Sequence, residues 1–185
     1  MHLRSVRSAD STKTLTGSTR QHVLSRLSKA ARQAQELALL LQNPASQATD
    51  TDILEAWAYA YSLMGSMEFE KQSSGSNRAS GQIPPKQRWK RCLVAFSGAR
   101  IIYDSVSRSS KQQDVYKELL NTTVDPSIRY AAYQSRLSRT LAVSDIARQN
   151  FPRENKTLLT ILEKFDPKAL AEEPTTKGTA NKLLR

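Results

Sequence analysis

Basic side chains stand where acids are expected, in the first turns of two predicted helices. The start of a helix carries about half a positive charge from its aligned peptide dipoles, so acidic side chains are favoured there. The predicted helix over 19–42 opens instead with Arg20 and Arg26. The predicted helix over 84–108 opens with four bases, Lys86, Arg88, Lys90 and Arg91. Free N–H donors beside added cations suit an external anion, and phosphate is the usual one.

The first of these helices carries only basic charge on its polar side. Its apolar residues recur at spacings of three and four, which predicts one buried stripe. The stripe consists of Val23, Leu27, Ala30, Ala34, Leu37 and Leu41. The polar side carries Arg26, Lys29 and Arg32, and no acid occurs between Asp10 and Glu36. We expect these bases to face a partner of opposite charge.

A third basic group lies in a predicted helix over 125–149. Arg129, Tyr133 and Arg136 are four and three residues apart and would share one face, with Arg139 a turn further on. The buried side is assigned to Tyr130, Leu137 and Leu141. Arginine with an interleaved aromatic suits an RNA backbone and an exposed base. The alternative is that Arg129 and Tyr133 only pack against a neighbouring helix.

The distribution of charge narrows the choice of partner. The chain has 185 residues and a net charge of +11, from 28 Lys and Arg against 17 Asp and Glu. Acids are missing from 11–35, 71–103 and 126–144, and these stretches hold 15 of the 28 bases. Nucleic acid, an anionic membrane face or an acidic protein would each fit such charge. A cationic surface kept for solubility is the alternative, although interspersed acids would serve solubility as well.

Residues for catalysis or metal binding are scarce. The chain has one cysteine, Cys92, and two histidines, His2 and His22. Glu68 and Glu70 are two apart and do not share a helix face. The glycine-containing stretches GSMEF and GSNRAS lack the spacing of phosphate loops. We therefore expect no enzyme activity, no metal and no cofactor, and we place Cys92 in the core rather than interpret it as a reactive thiol.

The elements that position these residues are predicted to be helices throughout. Alternation of β-branched residues and hairpin dipeptides are missing, so the fold is predicted to be all-α, with antiparallel helical hairpins in a tetratricopeptide-like stack. The predicted helices span 19–42, 50–72, 84–108, 112–121, 125–149 and 153–165. The third is expected to bury Trp89, Cys92, Phe96, Ala99, Tyr103 and Val106.

The second and third helices resemble a tetratricopeptide pair. Gly65 allows two helices to approach, and Phe96, four residues after the small Cys92, can fill the groove between them. The Gly/Ser-rich segment after Gln72 breaks the repeat period of about 34 residues, so a regular array is not expected. We predict a single helical domain over 1–173, with a mobile linker at 73–84 and a disordered tail at 174–185.

Four segments, in this order, resemble one known family. They are HVLSRLSKAARQAQEL (22–37), EAWAYAYSLMGSMEFEKQ (55–72), AFSGARIIYDSV (95–106) and PSIRYAAY (126–133). Together they are similar to the RNA-binding domain of the 68-kDa subunit of the eukaryotic signal recognition particle, over 1–165. The most specific piece is LSRLSKA with the following Glu36.

The resemblance implies a helical domain that binds the particle RNA near its three-way junction and remodels it, in co-translational targeting to the endoplasmic reticulum. It also implies a 72-kDa partner subunit bound outside this segment, and a cytoplasmic protein that visits the nucleolus during particle assembly. The family's upstream arginine-rich helix has no counterpart here, and MHLRSVRS corresponds to the helix after it. Arg26, Lys29 and Arg129 match the family's motifs.

A different function class stays open at the level of sequence. A tetratricopeptide-like adaptor would bind an acidic peptide, and it would place its bases in a concavity beside exposed aromatics. An RNA-binding domain would place them on a convex or edge surface. No helix-turn-helix is evident, and the first helix offers mainly Ala and Leu opposite its bases, which the core needs. The deciding question is whether the acid-free segments meet.

Overall fold

The computed structural model describes residues 17–73, 85–109 and 113–171, and these form helices and turns with no β-strand among them. The helices are α1 (Gly17–Leu41), α2 (Asp50–Ser73), α3 (Pro85–Ser109), α4 (Gln113–Leu119), α5 (Asp125–Gln134), α6 (Val143–Gln149) and α7 (Lys156–Phe165). The predicted all-α class is confirmed. The predictions of a mobile linker at 73–84 and a disordered tail at 174–185 lie outside the described residues, except that α2 continues through Ser73.

A short, capped connection sets α1 and α2 antiparallel. It contains a 3-10 turn at Pro44–Ser46. The Ala45 N–H in this turn donates to the side-chain oxygen of Asn43 at 3.0 Å. At the start of α2 the Thr49 N–H donates to the Asp52 carboxylate at 3.0 Å, and the Asp52 N–H donates to the Thr49 hydroxyl at 3.2 Å. Hydrogen bonds from Thr49 lower the pKa of Asp52. This reciprocal pair is a capping box, which satisfies two otherwise free N–H groups.

α2 and α3 pack closely around one glycine. A Cβ added at Gly65 would lie 2.8 Å from ring carbons of Phe96, which is itself buried. The Cys92 thiol donates to the Gly65 carbonyl oxygen at 3.7 Å. Burial raises the pKa of Cys92 to about 12, so this thiol is a core residue, as predicted. All six residues assigned to the buried side of α3 are buried.

α1 contacts α2 through small residues. Its buried positions are Ala31, Ala34 and Ala38, whereas Leu37 and Leu40 are 51% and 67% exposed. The prediction that Leu37 is buried is therefore wrong. The apolar period predicts that the large apolar residues make the contact. In the structure the two helices approach closely, so the small alanines lie between them and the adjacent leucines face outward.

α4 and α5 form one continuous rod rather than two separate helices. A π turn at Leu120–Val124 joins them, and the Asp125 N–H donates to the Leu120 carbonyl five residues earlier. Pro126 falls in the first turn of α5, directly after this wider turn. The proline therefore follows the wider turn without interrupting the rod.

The prediction of one helix over 125–149 is wrong, because α5 ends at Gln134. Arg136 has a φ of 59°. Its N–H donates to the Tyr133 carbonyl and the Leu137 N–H donates to the Ala132 carbonyl, both at 3.0 Å. These two bonds are the Schellman pattern that ends a helix, in which glycine usually takes the left-handed position. No glycine or proline marks the turn, so the periodic pattern continues through it.

Replacing Arg136 by glycine is expected to raise the free energy of unfolding by about 1 kcal/mol, because glycine has no Cβ to strain the left-handed conformation. Denaturant unfolding followed by circular dichroism measures the change. Arg136→Ala is the matched control, since it removes the same side chain and keeps the strain. Equal stability of the two variants would contradict the expectation.

Candidate nucleic-acid interface

The described basic residues divide into paired and unpaired groups. The paired ones bridge elements or turns: Arg100–Asp125 (3.0 Å), Arg108–Asp166 (2.8 Å), Arg148–Asp145 (2.9 Å), Lys164–Asp50 (2.7 Å) and Lys71–Glu68 (2.8 Å). The second group forms no ion pair within the described ranges, and comprises Arg20, Arg26, Lys29, Lys90, Arg91, Arg129, Arg136 and Arg139 together with Lys117, Arg153, Lys156 and Lys168. Eight of these twelve bases are predicted site residues.

On α1, the predicted basic face is open to solvent. Arg26, Lys29 and Arg32 are exposed, and Arg20 is half-buried with one guanidinium nitrogen lacking a hydrogen-bond partner. Arg32 alone among the predicted bases of this helix has an acidic neighbour, Glu36, at 3.9 Å between two exposed side chains. Such a loose surface pair contributes little, so Arg32 remains available to another anion.

The antiparallel packing brings the basic helix starts to one end of the stack. The part of α1 between the α1–α2 connection and Arg20 and the part of α2 between that connection and Gln72 have nearly the same length. At 1.5 Å per residue, each is roughly 32 Å long. Arg20 therefore lies level with the end of α2. At that end the ring of Phe69 meets the ring of Trp89 on α3, with 5.4 Å between centroids. Tyr130 on α5 touches both rings, at 5.3 and 5.2 Å.

The starts of α1 and α3 and the middle of α5 therefore lie toward the same end of the stack. Arg26, Lys29 and Arg32 lie six, nine and twelve residues beyond Arg20, which places them roughly 9–18 Å further along α1. α3 contributes Lys90 and Arg91, both exposed. Lys86 and Arg88 belong to the first turn of the same helix, and their side chains lie outside the described part.

A groove of about 1000 Å³ runs along the seam between α2 and α3. Lys90 and Arg91 line one end of it, and its lining also includes Trp57 and Tyr61. Both of these aromatic residues are buried. A peptide-binding adaptor would need bases beside exposed aromatics in this concavity. The groove does not have that arrangement, because the exposed aromatics near bases lie on α5.

The α5 surface differs from its prediction in two respects. Arg136 lies beyond the end of the helix and so does not extend the face of Arg129 and Tyr133. The turn instead brings Arg139 back, and its guanidinium carbon lies 4.8 Å from the centroid of the Tyr133 ring. Tyr130, predicted to be buried, is 44% exposed. The sequence held a signal for this, because residues three apart share a helix face, and Tyr130 precedes Tyr133 by three.

Two further classes of site find no support in the described ranges. None of the helices there is long and apolar enough to cross a membrane. In the same part of the chain, no group of three or more His, Cys, Asp or Glu is placed to hold a metal ion.

Comparison with known proteins finds a matching family and a similar solved structure. A family model described as "RNA-binding signal recognition particle 68" matches residues 1–184. A solved structure, that of the SRP68-RBD from Chaetomium thermophilum, is similar with 42% sequence identity and a TM-score of 0.60. The match covers 80% of this chain and 64% of that one, so this chain spans somewhat less than two thirds of its relative.

Proposed function

This chain belongs to the RNA-binding signal recognition particle 68 family, and we propose from that premise that it is the RNA-binding module of a signal recognition particle. It binds the particle RNA near the three-way junction, through phosphate contacts from basic helix faces. Arg26 and Lys29 on α1, Lys90 and Arg91 on α3, and Arg129 on α5 are the proposed contacts. The module works by binding and bending RNA, without catalysis.

One observation carries this proposal: eight predicted site bases lack an acidic partner in the described part, whereas the bases that hold one element to another, Arg100, Arg108 and Lys164, are each paired. An unpaired cation can neutralise an RNA phosphate directly, and this releases the cations condensed around that phosphate. The basic starts of α1 and α3 and Arg129 on α5 lie toward the same end of the stack, which supports one extended anionic partner rather than a role in solubility alone.

The remaining parts of the proposal come from the family. A 72-kDa subunit is the expected protein partner, bound by a region outside this segment. The place of action is the cytoplasm, in co-translational targeting to the endoplasmic reticulum, with assembly in the nucleolus. The arginines beyond α5, Arg136 and Arg139, and the α3 bases Lys86 and Arg88 are proposed as further RNA contacts. Arg20 and Arg32 complete the set on α1.

Salt dependence tests the phosphate mechanism. If about four phosphates are contacted, affinity for a junction RNA should fall about tenfold when monovalent salt doubles from 100 to 200 mM. Filter binding or fluorescence anisotropy at the two concentrations measures the change, with circular dichroism to show that the protein stays folded in both. An affinity that does not respond to salt would reject the mechanism.

A further inference from the structure

The exposed face of α5 carries an arginine beside a tyrosine ring. Phosphate binding alone does not explain why the ring is there. The Arg139 guanidinium lies over the Tyr133 ring, 4.8 Å from its centroid, and 54% of Tyr133 remains exposed. We propose that this pair is a stacking site for unpaired RNA nucleotides, an inference that rests on the proposed function. Both aromatic rings and guanidinium planes are surfaces on which RNA bases stack.

A second ring extends the site. Tyr130 lies three residues before Tyr133 and so on the same side of α5. Its ring packs against Trp89 at an interplanar angle of 69° and against Phe69 at 45°. These neighbours hold the ring in place, while 44% of Tyr130 stays exposed. A ring fixed by its neighbours loses little freedom when a base stacks on it, so two adjacent rings can accept two successive nucleotides.

The charges around the two rings favour a nucleotide over an apolar partner. Arg129 and Arg136 are exposed and unpaired in the described part, and can bind the phosphates that join the stacked nucleotides. The nearest acids along the chain, Asp125 and Asp145, are each held in an ion pair with an arginine. No free carboxylate from the flanking sequence therefore opposes a phosphate here.

The site selects unpaired RNA because paired bases offer no free faces. In an A-form duplex the bases are stacked on one another and only their edges and the 2′-hydroxyls are presented. Exposed rings therefore gain a stacking partner only from a loop or bulge. A basic surface without rings, such as that of α1, makes no such distinction, so the two surfaces have separable roles.

The experiment compares two RNA hairpins that differ by one three-nucleotide bulge, with 2-aminopurine as the central bulged base. The protein should bind the bulged hairpin about tenfold more tightly. Tyr133→Ala should abolish most of that preference, and Tyr133→Phe should keep it. Tyr59→Ala is the matched control, because Tyr59 is 55% exposed on α2 and is not among the proposed contacts. The fluorescence of 2-aminopurine should change on binding to the wild type and not to Tyr133→Ala.

The outcomes separate the stacking site from the proposed function. If both hairpins bind equally well, or if Tyr133→Ala keeps the preference, the stacking site is wrong and RNA binding itself stands. If neither hairpin nor a junction RNA binds at any salt concentration, the proposed function fails and the stacking site fails with it. Circular dichroism of each variant ensures that a lost preference is not lost folding.

Discussion

Reversing two charges on α1, Arg26→Glu together with Lys29→Glu, is expected to weaken binding to a junction RNA by about 100-fold or more. The two side chains are three residues apart, share a helix face and are exposed without an ion-pair partner in the described part. Each reversal removes a phosphate contact and adds repulsion at the same place. The fold should be unaffected, because neither residue is buried against α2.

Net charge must be separated from position in this measurement. Lys156→Glu with Lys168→Glu changes the net charge by the same amount, and both lysines are exposed on or after α7, away from the basic end of the stack. This control should weaken binding less than about fivefold, as expected from long-range attraction alone. If both double variants bind equally, or if the α1 variant binds like the wild type, α1 does not contact the RNA.

The largest stability effect is expected at the α2–α3 contact. Gly65→Ala should lower the free energy of unfolding by about 2–3 kcal/mol, since its Cβ would lie 2.8 Å from the ring of buried Phe96. This loss outweighs the gain of about 1 kcal/mol that alanine brings to a helix. Denaturant unfolding measures it.

Gly17→Ala provides the matched control. A Cβ at Gly17 meets nothing within 4 Å, so this variant should be neutral or slightly more stable. Phe96→Leu should recover part of the loss in the Gly65→Ala background, because it removes ring atoms at the point of overlap. Equal stability of the two glycine variants would show that the α2–α3 contact can adjust without cost.

The sequence predicts the long helices well, because prolines mark their ends and starts and apolar residues recur at the helical period. Pro44 and Pro85 mark an end and a start, and α3 is buried along one continuous stripe. The end of α5 is missed because a non-glycine residue, Arg136, takes the left-handed position. The joining of α4 to α5 is missed because a π turn has no sequence signature of the same strength.

The sequence predicts the candidate site only where the possible ion-pair partners of a base lie in the same helix. On a helix, pairing partners lie three or four residues away, so acid-free stretches predict unpaired bases such as Arg26 and Lys29. Arg100 also lies in an acid-free stretch, yet it pairs with Asp125 from a distant element. The approach of Arg139 to Tyr133 likewise depends on the turn after α5. Contacts of this kind require the tertiary structure.

The alanine contact between α1 and α2 has a consequence for the order in which the domain opens. Burying Ala31, Ala34 and Ala38 removes far less apolar surface from water than the aromatic packing of α2 on α3. Backbone amides of α1 should therefore exchange with deuterium sooner than those of α2 and α3. Because α1 carries Arg26 and Lys29, bound RNA should slow that exchange. The RNA would then stabilise the packing of α1 on α2 beyond what the alanine contact provides.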